Sequence, residues 1–285
     1  MKILVRMIVA LAIAAATSVS MGAQWPSSPT PGVPRTPDGK PILDGPTPRT
    51  ADGKVDFSGI WELRPAGGRG RGAGPGAGAA PAAPAPAPDA LPVSQFFEVA
   101  GRGYALPLQP WAAELKKKRM ADNSKDNPDV WCLPIGLMQY HNHPQPRQIV
   151  QTKNLALITY ESNYGLRYIY LDGRPAPNND PVPWWFGYSR GWFEGDTLVV
   201  ETTNFRGDEK AGWLDVNGSP YTESLKMTER FRRPNFGTLE IDITIDDPKA
   251  YTKPFTVRVN HRLMVDQEMI EFICNENERS THHIK

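Results

Sequence analysis

A period-two alternation of apolar and polar residues, repeated along the C-terminal half, most restricts what this chain can fold into. Over residues 238–246 Leu239, Ile241, Ile243 and Ile245 fall on one side, and Glu240, Asp242, Thr244 and Asp246 on the other. A strand patterned this way buries one face and leaves the other to water. Similar runs cover 55–63, 148–152, 155–161, 166–171, 197–205, 225–232, 254–265 and 269–274, with turns such as Lys153-Asn154, Asp172-Gly173 and Glu194-Gly195-Asp196 between them. Short strands at steady spacing, with a single short helical stretch at Trp111–Met120, predict an all-β fold: an antiparallel barrel or a strongly curved sheet.

The N-terminal third is organised differently. Lys2 and Arg6 precede an apolar run from Ile8 to Ala16, and small residues lead up to Gln24. Residues 1–23 therefore read as an export signal, with an apolar run too short to span a bilayer. Residues 24–54 form a proline-rich arm in which Pro34-Arg35-Thr36-Pro37-Asp38-Gly39-Lys40 recurs as Pro48-Arg49-Thr50-Ala51-Asp52-Gly53-Lys54. The Asp-Gly pairs mark turns, and two copies are too few for a solenoid, so the arm is expected to be extended. Residues 55–64 supply the first strand, and residues 65–92 a Gly/Ala/Pro linker lacking the apolar side chains that would offset its ordering entropy. The main β domain spans 93–285.

Charge and cysteine content exclude several classes. With 32 basic and 31 acidic residues there is no basic excess for a nucleic-acid surface. The basic run Lys116–Arg119 reads as the solvated face of the short helix. No later stretch has the length and apolarity of a membrane span. Cys132 and Cys274 are the two cysteines. In an exported chain they read as one disulfide, a catalytic thiol being the alternative. Cleavage of the export signal would leave the protein in the periplasm or outside the cell.

Candidate site residues are those that interrupt apolar stripes. His261 shares a face with Phe255, Val257, Val259, Leu263 and Val265, and Glu229 with Leu225, Met227 and Phe231. Buried carboxyl and imidazole groups titrate nearer neutrality, where acid–base chemistry is efficient. Glu229 and His261 are thus the candidate bases and Arg167 the candidate oxyanion partner. The plainer reading pairs Glu229 with an inward arginine such as Arg167 and leaves His261 as a core residue. Glu161 and Arg167, flanking a turn, are also candidates for a hairpin ion pair. His141 and His143, two apart on an extended segment, would point the same way and hold a metal if a third ligand such as His261 or Glu229 joined them. Loop hydrogen bonding is the alternative, and no cofactor motif is present. The aromatic residues Trp184, Trp185, Tyr188 and Trp192, in a stretch that two prolines keep out of a central strand, would line or plug a barrel mouth together with Tyr160, Tyr168 and Tyr170.

Asp56-Phe57-Ser58-Gly59-Ile60-Trp61, with its Gly-x-Trp pair, resembles the opening strand of lipocalin-like barrels. Residues 192–198 and 228–231 fit that broad class. Cys132-Leu133-Pro134-Ile135-Gly136, Ile169-Tyr170-Leu171-Asp172-Gly173-Arg174-Pro175, Ile245-Asp246-Asp247-Pro248-Lys249-Ala250-Tyr251 and Cys274-Asn275-Glu276-Asn277-Glu278 resemble a widespread group of exported bacterial β proteins without assigned activity. That resemblance covers about residues 130 to 280. It implies compartment and β fold, not chemistry. Three functions follow as expectations. The first is binding of a small apolar or aromatic molecule without cofactor. The second is a cofactor-free lyase, isomerase or hydratase. The third is envelope assembly through the proline-rich arm.

Overall fold

The computed structural model describes residues 29–64, 90–92, 106–177 and 182–276. The export signal expected over 1–23, nearly all of the linker expected over 65–92 and the tail histidines His282 and His283 lie outside these residues.

The strands, in chain order, are β1 (Gly59–Leu63), β2 (Ala90–Pro92), β3 (Arg147–Gln151), β4 (Leu155–Tyr160), β5 (Leu166–Tyr170), β6 (Tyr188–Glu194), β7 (Thr197–Thr203), β8 (Lys226–Asn235), β9 (Thr238–Asp246) and β10 (Phe255–Met264). Two α-helices are present among the described residues, α1 (Pro110–Ala121) and α2 (Leu137–Asn142). Neighbours run β1-β3-β4-β5-β6-β7-β8-β9-β10, and β10 pairs back onto β1, which closes a nine-stranded barrel. β2 adds in parallel beside the first residues of β10, Thr256–Arg258, while β1 pairs with its far half, His261–Met264. The all-β barrel expected from the alternation is the observed architecture.

Inward residues of successive strands make one core. Trp61, Ile158, Ile169, Val200, Leu239, Ile241, Ile243, Ile245 and Val257 are buried in it. The alternation in β9 is obeyed, yet its other face is drier than expected. Glu240 and Asp242 are buried there, and Asp242 accepts from Arg232 (2.7 Å) and Arg258 (2.9 Å). The helix α2 lies inside one mouth with all six residues buried, acting as a plug. The basic run on α1 is not wholly solvated: Arg119 is buried, its guanidinium 4.0 Å from the centre of the Trp213 ring.

Three features depart from the sequence reading. First, residues 188–194 form β6, a full member of the wall. The prolines at 181 and 183 precede it and so do not interrupt the ladder. β6 is parallel to β5, joined by only two paired positions, Ile169↔Ser189 and Tyr170↔Arg190. Second, residues 269–274 form no strand, because β10 is already paired on both sides; Ile270 N–H instead donates to Glu161 (3.0 Å). Third, the described part of the arm is folded onto the barrel. Its two repeats make the same turn twice, with Thr36 N–H to Lys40 C=O and Thr50 N–H to Lys54 C=O both at 2.9 Å. Each repeat anchors its arginine to a distant aspartate, Arg35 to Asp266 and Arg49 to Asp196. Leu43 C=O accepts from Gly237 N–H (2.7 Å) at the β8–β9 turn.

Cys132 and Cys274 are bonded, with their Cα atoms 5.5 Å apart and a sequence separation of 142. The bond ties the C-terminal segment to the chain just ahead of α2. Such a crosslink restricts the unfolded chain more than the folded one. Replacing both cysteines by alanine should lower the free energy of unfolding by about 2–5 kcal/mol, measured by urea titration. A loss indistinguishable from zero would show that the segment's other contacts suffice.

Candidate functional site

The largely apolar barrel interior holds a belt of polar side chains, with two further buried polar groups beside it. Arg167 of β5, Ser189 of β6, Thr202 of β7 and Glu229 of β8 come from four adjacent strands, all on the inner face and each no more than 1 % exposed. The Arg167 guanidinium grips both carboxylate oxygens of Glu229, with Nη1 to Oε1 at 2.9 Å and Nη2 to Oε2 closer still. Its Nε–H donates to Ser189 Oγ (3.0 Å) and its Nη2 to Thr202 Oγ1 (2.8 Å). The plug completes the set: His141 of α2 meets Glu229 Oε1 through Nε2 at 2.7 Å. Arg167 therefore pairs across the barrel with Glu229 and not with Glu161 across the hairpin. The turn expected to join that pair is a short 3-10 helix, Ser162–Tyr164, which leaves Arg167 on the inner face.

Beside the belt lie His261 of β10 and Arg147 of β3, both buried and on either side of β1 in the sheet. His261 Nε2 faces the His141 carbonyl at 3.3 Å, a contact that requires the Nε2–H tautomer. Its Nδ1, and that of His141, have no hydrogen-bond partner among the described residues. Since a carboxylate only accepts, Nε2 of His141 must also carry the proton, so both histidines present a bare Nδ1 lone pair.

Electrostatics follow from this packing. Burial would raise the Glu229 carboxyl, but the Arg167 charge and the hydrogen bonds from Arg167 and His141 outweigh it and hold the group at about 2. Burial lowers His141 despite the facing Glu229, and lowers His261 well below 6.5 with Arg147 adding to the effect. Glu229 is thus an ion with both oxygens engaged, and the two imidazoles are neutral.

Most of the expected aromatic residues gather nearby. A cavity of about 310 Å³ opens at the β5–β6 seam, lined on the apolar side by Tyr168, Tyr170, Trp184, Trp185 and Phe186, with Arg167 and Ser189 at its floor. The short seam lets residues from both faces of the wall reach one space. Residues 182–187 lie against it, held by Trp184 N–H to Asn204 C=O (3.0 Å) and Arg206 N–H to Trp184 C=O (2.8 Å). Gly187 is required there. Its φ is +63°, and a Cβ would stand 2.7 Å from both Thr202 Cγ2 and Thr203 O. Tyr188 stacks on Tyr170 (5.2 Å) behind the lining. Trp192 is on the outer wall, 43 % exposed and outside this cavity. Tyr160 points into the barrel, its ring stacked on Phe186 at 6.4 Å.

His141 and His143 do not share a metal. The segment is helical where an extended one was expected, so the rings diverge: His141 turns to Glu229, and His143 Nε2 to Ser162 Oγ at 3.5 Å. Among the described residues no group of three histidine, cysteine or carboxylate side chains is placed to hold a metal ion. A larger cavity, about 580 Å³, lies outside the barrel between α1 and the loop at Glu209–Trp213. Its rim mixes Lys118, Arg119 and Lys210 with Asp122, Asp126 and Glu209, and it includes none of the belt residues. The smaller cavity is the better candidate, because it alone joins aromatic surface to the interior polar groups.

Sequence reasoning missed Arg147, Ser189 and Thr202, whereas Phe186 lies in the aromatic stretch expected to line or plug the mouth. Arg147 shared a face with Ile149 and was one residue short of the expected strand start. Ser189 was hidden because its strand read as a loop.

The arrangement dictates a two-stage acid response. A carboxyl depressed from 4.5 to about 2 adds stability above 4.5 that is lost as pH falls between these values. Histidines lowered from 6.5 likewise favour the fold above 6.5 and oppose it as pH drops below. Urea midpoints taken from pH 7.5 to 3 should fall first below pH 6.5, and His261→Gln should flatten that first stage. At pH 7 Glu229→Gln should cost about 3–5 kcal/mol, because it leaves Arg167 buried without its counter-charge. A loss below about 1 kcal/mol would contradict the pairing.

Comparison with protein-family models, with curated proteins and with solved structures finds no match for this chain, so the arguments for function are those of its own geometry.

Proposed function

We propose that this protein binds a small aromatic or apolar molecule in the cavity at the β5–β6 seam. The observation that carries this reading is the joining of five aromatic side chains to a floor of Arg167 and Ser189 in one space of about 310 Å³. Apolar walls with a few fixed polar groups are the usual composition of a small-molecule site, and this volume is at the lower end of the range for such sites. Arg167 and Ser189 already bond each other, so the floor orients the ligand with its remaining donor capacity and does not neutralise a charge. The Cys132–Cys274 bond and the lack, among the described residues, of a helix long and apolar enough to cross a membrane fit an exported protein. Envelope assembly loses its motive, since the described arm is docked on its own barrel.

A second reading has one observation behind it. His141 Nε2 meets the ion-paired Glu229 carboxylate at 2.7 Å, which fixes the imidazole tautomer that leaves Nδ1 bare. That is the arrangement of a general base positioned by a carboxylate. In a cofactor-free lyase, isomerase or hydratase His141 would take the proton, while Glu229, with both oxygens engaged, would orient it.

The binding reading is tested with the fluorescent apolar probe 8-anilinonaphthalene-1-sulfonate. Binding to the wild type with fluorescence enhancement is expected, and Trp184→Ala should weaken it about tenfold, the effect of losing a well-packed aromatic contact. Equal affinity in the variant would remove the seam cavity as the site. Native mass spectrometry of protein from its source cells should then show any retained organic ligand.

A further inference from the structure

Arg147 stands apart from every other buried arginine of the barrel. It is 1 % exposed, and its Nε–H and Nη1 groups have no hydrogen-bond partner among the described residues. Its bond to the chain is a long one, from Nη2 to the His143 carbonyl at 3.4 Å. Arg167, equally buried, has a carboxylate and two hydroxyls; Arg147 faces the Tyr160 ring at 5.7 Å and no carboxylate. A guanidinium enclosed this way has lost its hydration without recovering it from the protein, a state that costs several kcal/mol unless something completes it. Burial accordingly lowers its pKa to about 10, still far above neutrality, so the charge remains.

The charge balance of the interior points the same way. Two guanidinium cations, Arg147 and Arg167, share the chamber with one carboxylate, Glu229, whose oxygens are both taken by Arg167 and His141. The two histidines are neutral. Among the described residues this interior therefore holds one more cation than anion, and Arg147 is the cation without a carboxylate partner. Arginine is the side chain that pairs best with planar oxyanions.

We propose that Arg147 forms an interior binding site for a small carboxylate, of the size of formate or acetate, enclosed between β3, β4 and the α2 plug. The site is distinct from the seam cavity. Phe186, which lines that cavity, stacks face to face on Tyr160 with 3° between the ring planes, and Tyr160 in turn lies across from Arg147 in the β3–β4 register. A carboxylate oxygen would accept from one of the two unpartnered donors, Arg147 Nε–H or Nη1–H, which lie on different edges of the guanidinium.

The test uses the full chain at fixed pH 7.5 and fixed ionic strength, with formate exchanged against a bulky sulfonate buffer anion. A ligand that binds only the folded state raises the unfolding temperature in a saturable way, by about 5–10 °C at one hundred times its dissociation constant. The expected result is that saturable rise in the wild type and none in Arg147→Met, which keeps the side-chain volume without the charge. Arg147→Lys, which keeps the charge and therefore the need for a partner, should fold and bind formate at least tenfold more weakly. No formate response in the wild type would mean that water alone completes the site, and would overturn the proposal. An unchanged response in Arg147→Lys, or a retained one in Arg147→Met, would overturn it equally. These outcomes leave the seam cavity untouched, since probe binding there is judged by Trp184→Ala.

Discussion

The ion pair between Arg167 and Glu229 fixes the geometry on which the rest of the barrel interior depends. It joins β5 to β8 across the lumen, and its outer bonds reach Ser189 on β6, Thr202 on β7 and His141 on the plug. Removing two charges from water is expensive, and only near-complete hydrogen bonding offsets it. Here the carboxylate receives from two partners and the guanidinium donates to three, so little bonding capacity is left unused on the carboxylate. The consequence is positional. A plug helix of six residues has too few turns to hold itself, and its register inside the mouth is set by what His141 meets.

The same pair explains how a wall with a weak seam stays closed. β5 and β6 share only two paired positions, because a parallel neighbour needs the chain to cross back before re-entering the sheet. The return passes through residues 171–187, and its last part lies beside the opening that the short seam leaves. Side chains then do what the backbone ladder does elsewhere. On the inner face Arg167 bonds Ser189 across the seam, and on the outer face Tyr170 stacks on Tyr188. A cavity at this place is therefore a product of topology, and the aromatic residues around it both close the wall and make an apolar surface for a ligand.

Period two was legible from residues alone, since β9 and β10 place Leu239 to Ile245 and Phe255 to Leu263 inward as their alternation requires. Glu229 and His261 were legible for the same reason: a polar residue in phase with an apolar stripe must be inside. The parallel strand was not. Its residues 188–194 alternate through Ser189 and Gly191, too small to mark a buried face, and two nearby prolines argued for a loop. The fate of His141 was equally hidden. Its spacing from His143 carries opposite meanings on a strand and on a helix, and a six-residue helix has too little periodicity to declare itself. Long-range pairings such as Arg35 with Asp266 depend on closure of the barrel and leave no local trace.

Binding and acid–base catalysis make different demands on this interior, and its charges decide which it meets more easily. Burial and the Arg147 field keep His141 and His261 neutral, and their Nε2 protons are committed to Glu229 and to a backbone carbonyl. Such groups can accept a proton but have none to give. A reaction that begins by proton abstraction next to a carboxylate would suit them, since the developing negative charge would form beside a guanidinium already lacking a partner. A reaction that begins by protonating a leaving group would not, because its acid would have to be a histidine that the fold holds deprotonated. The burial and positive field that keep the imidazoles neutral also make them weak bases, so an anion relieves this interior more readily than a proton does.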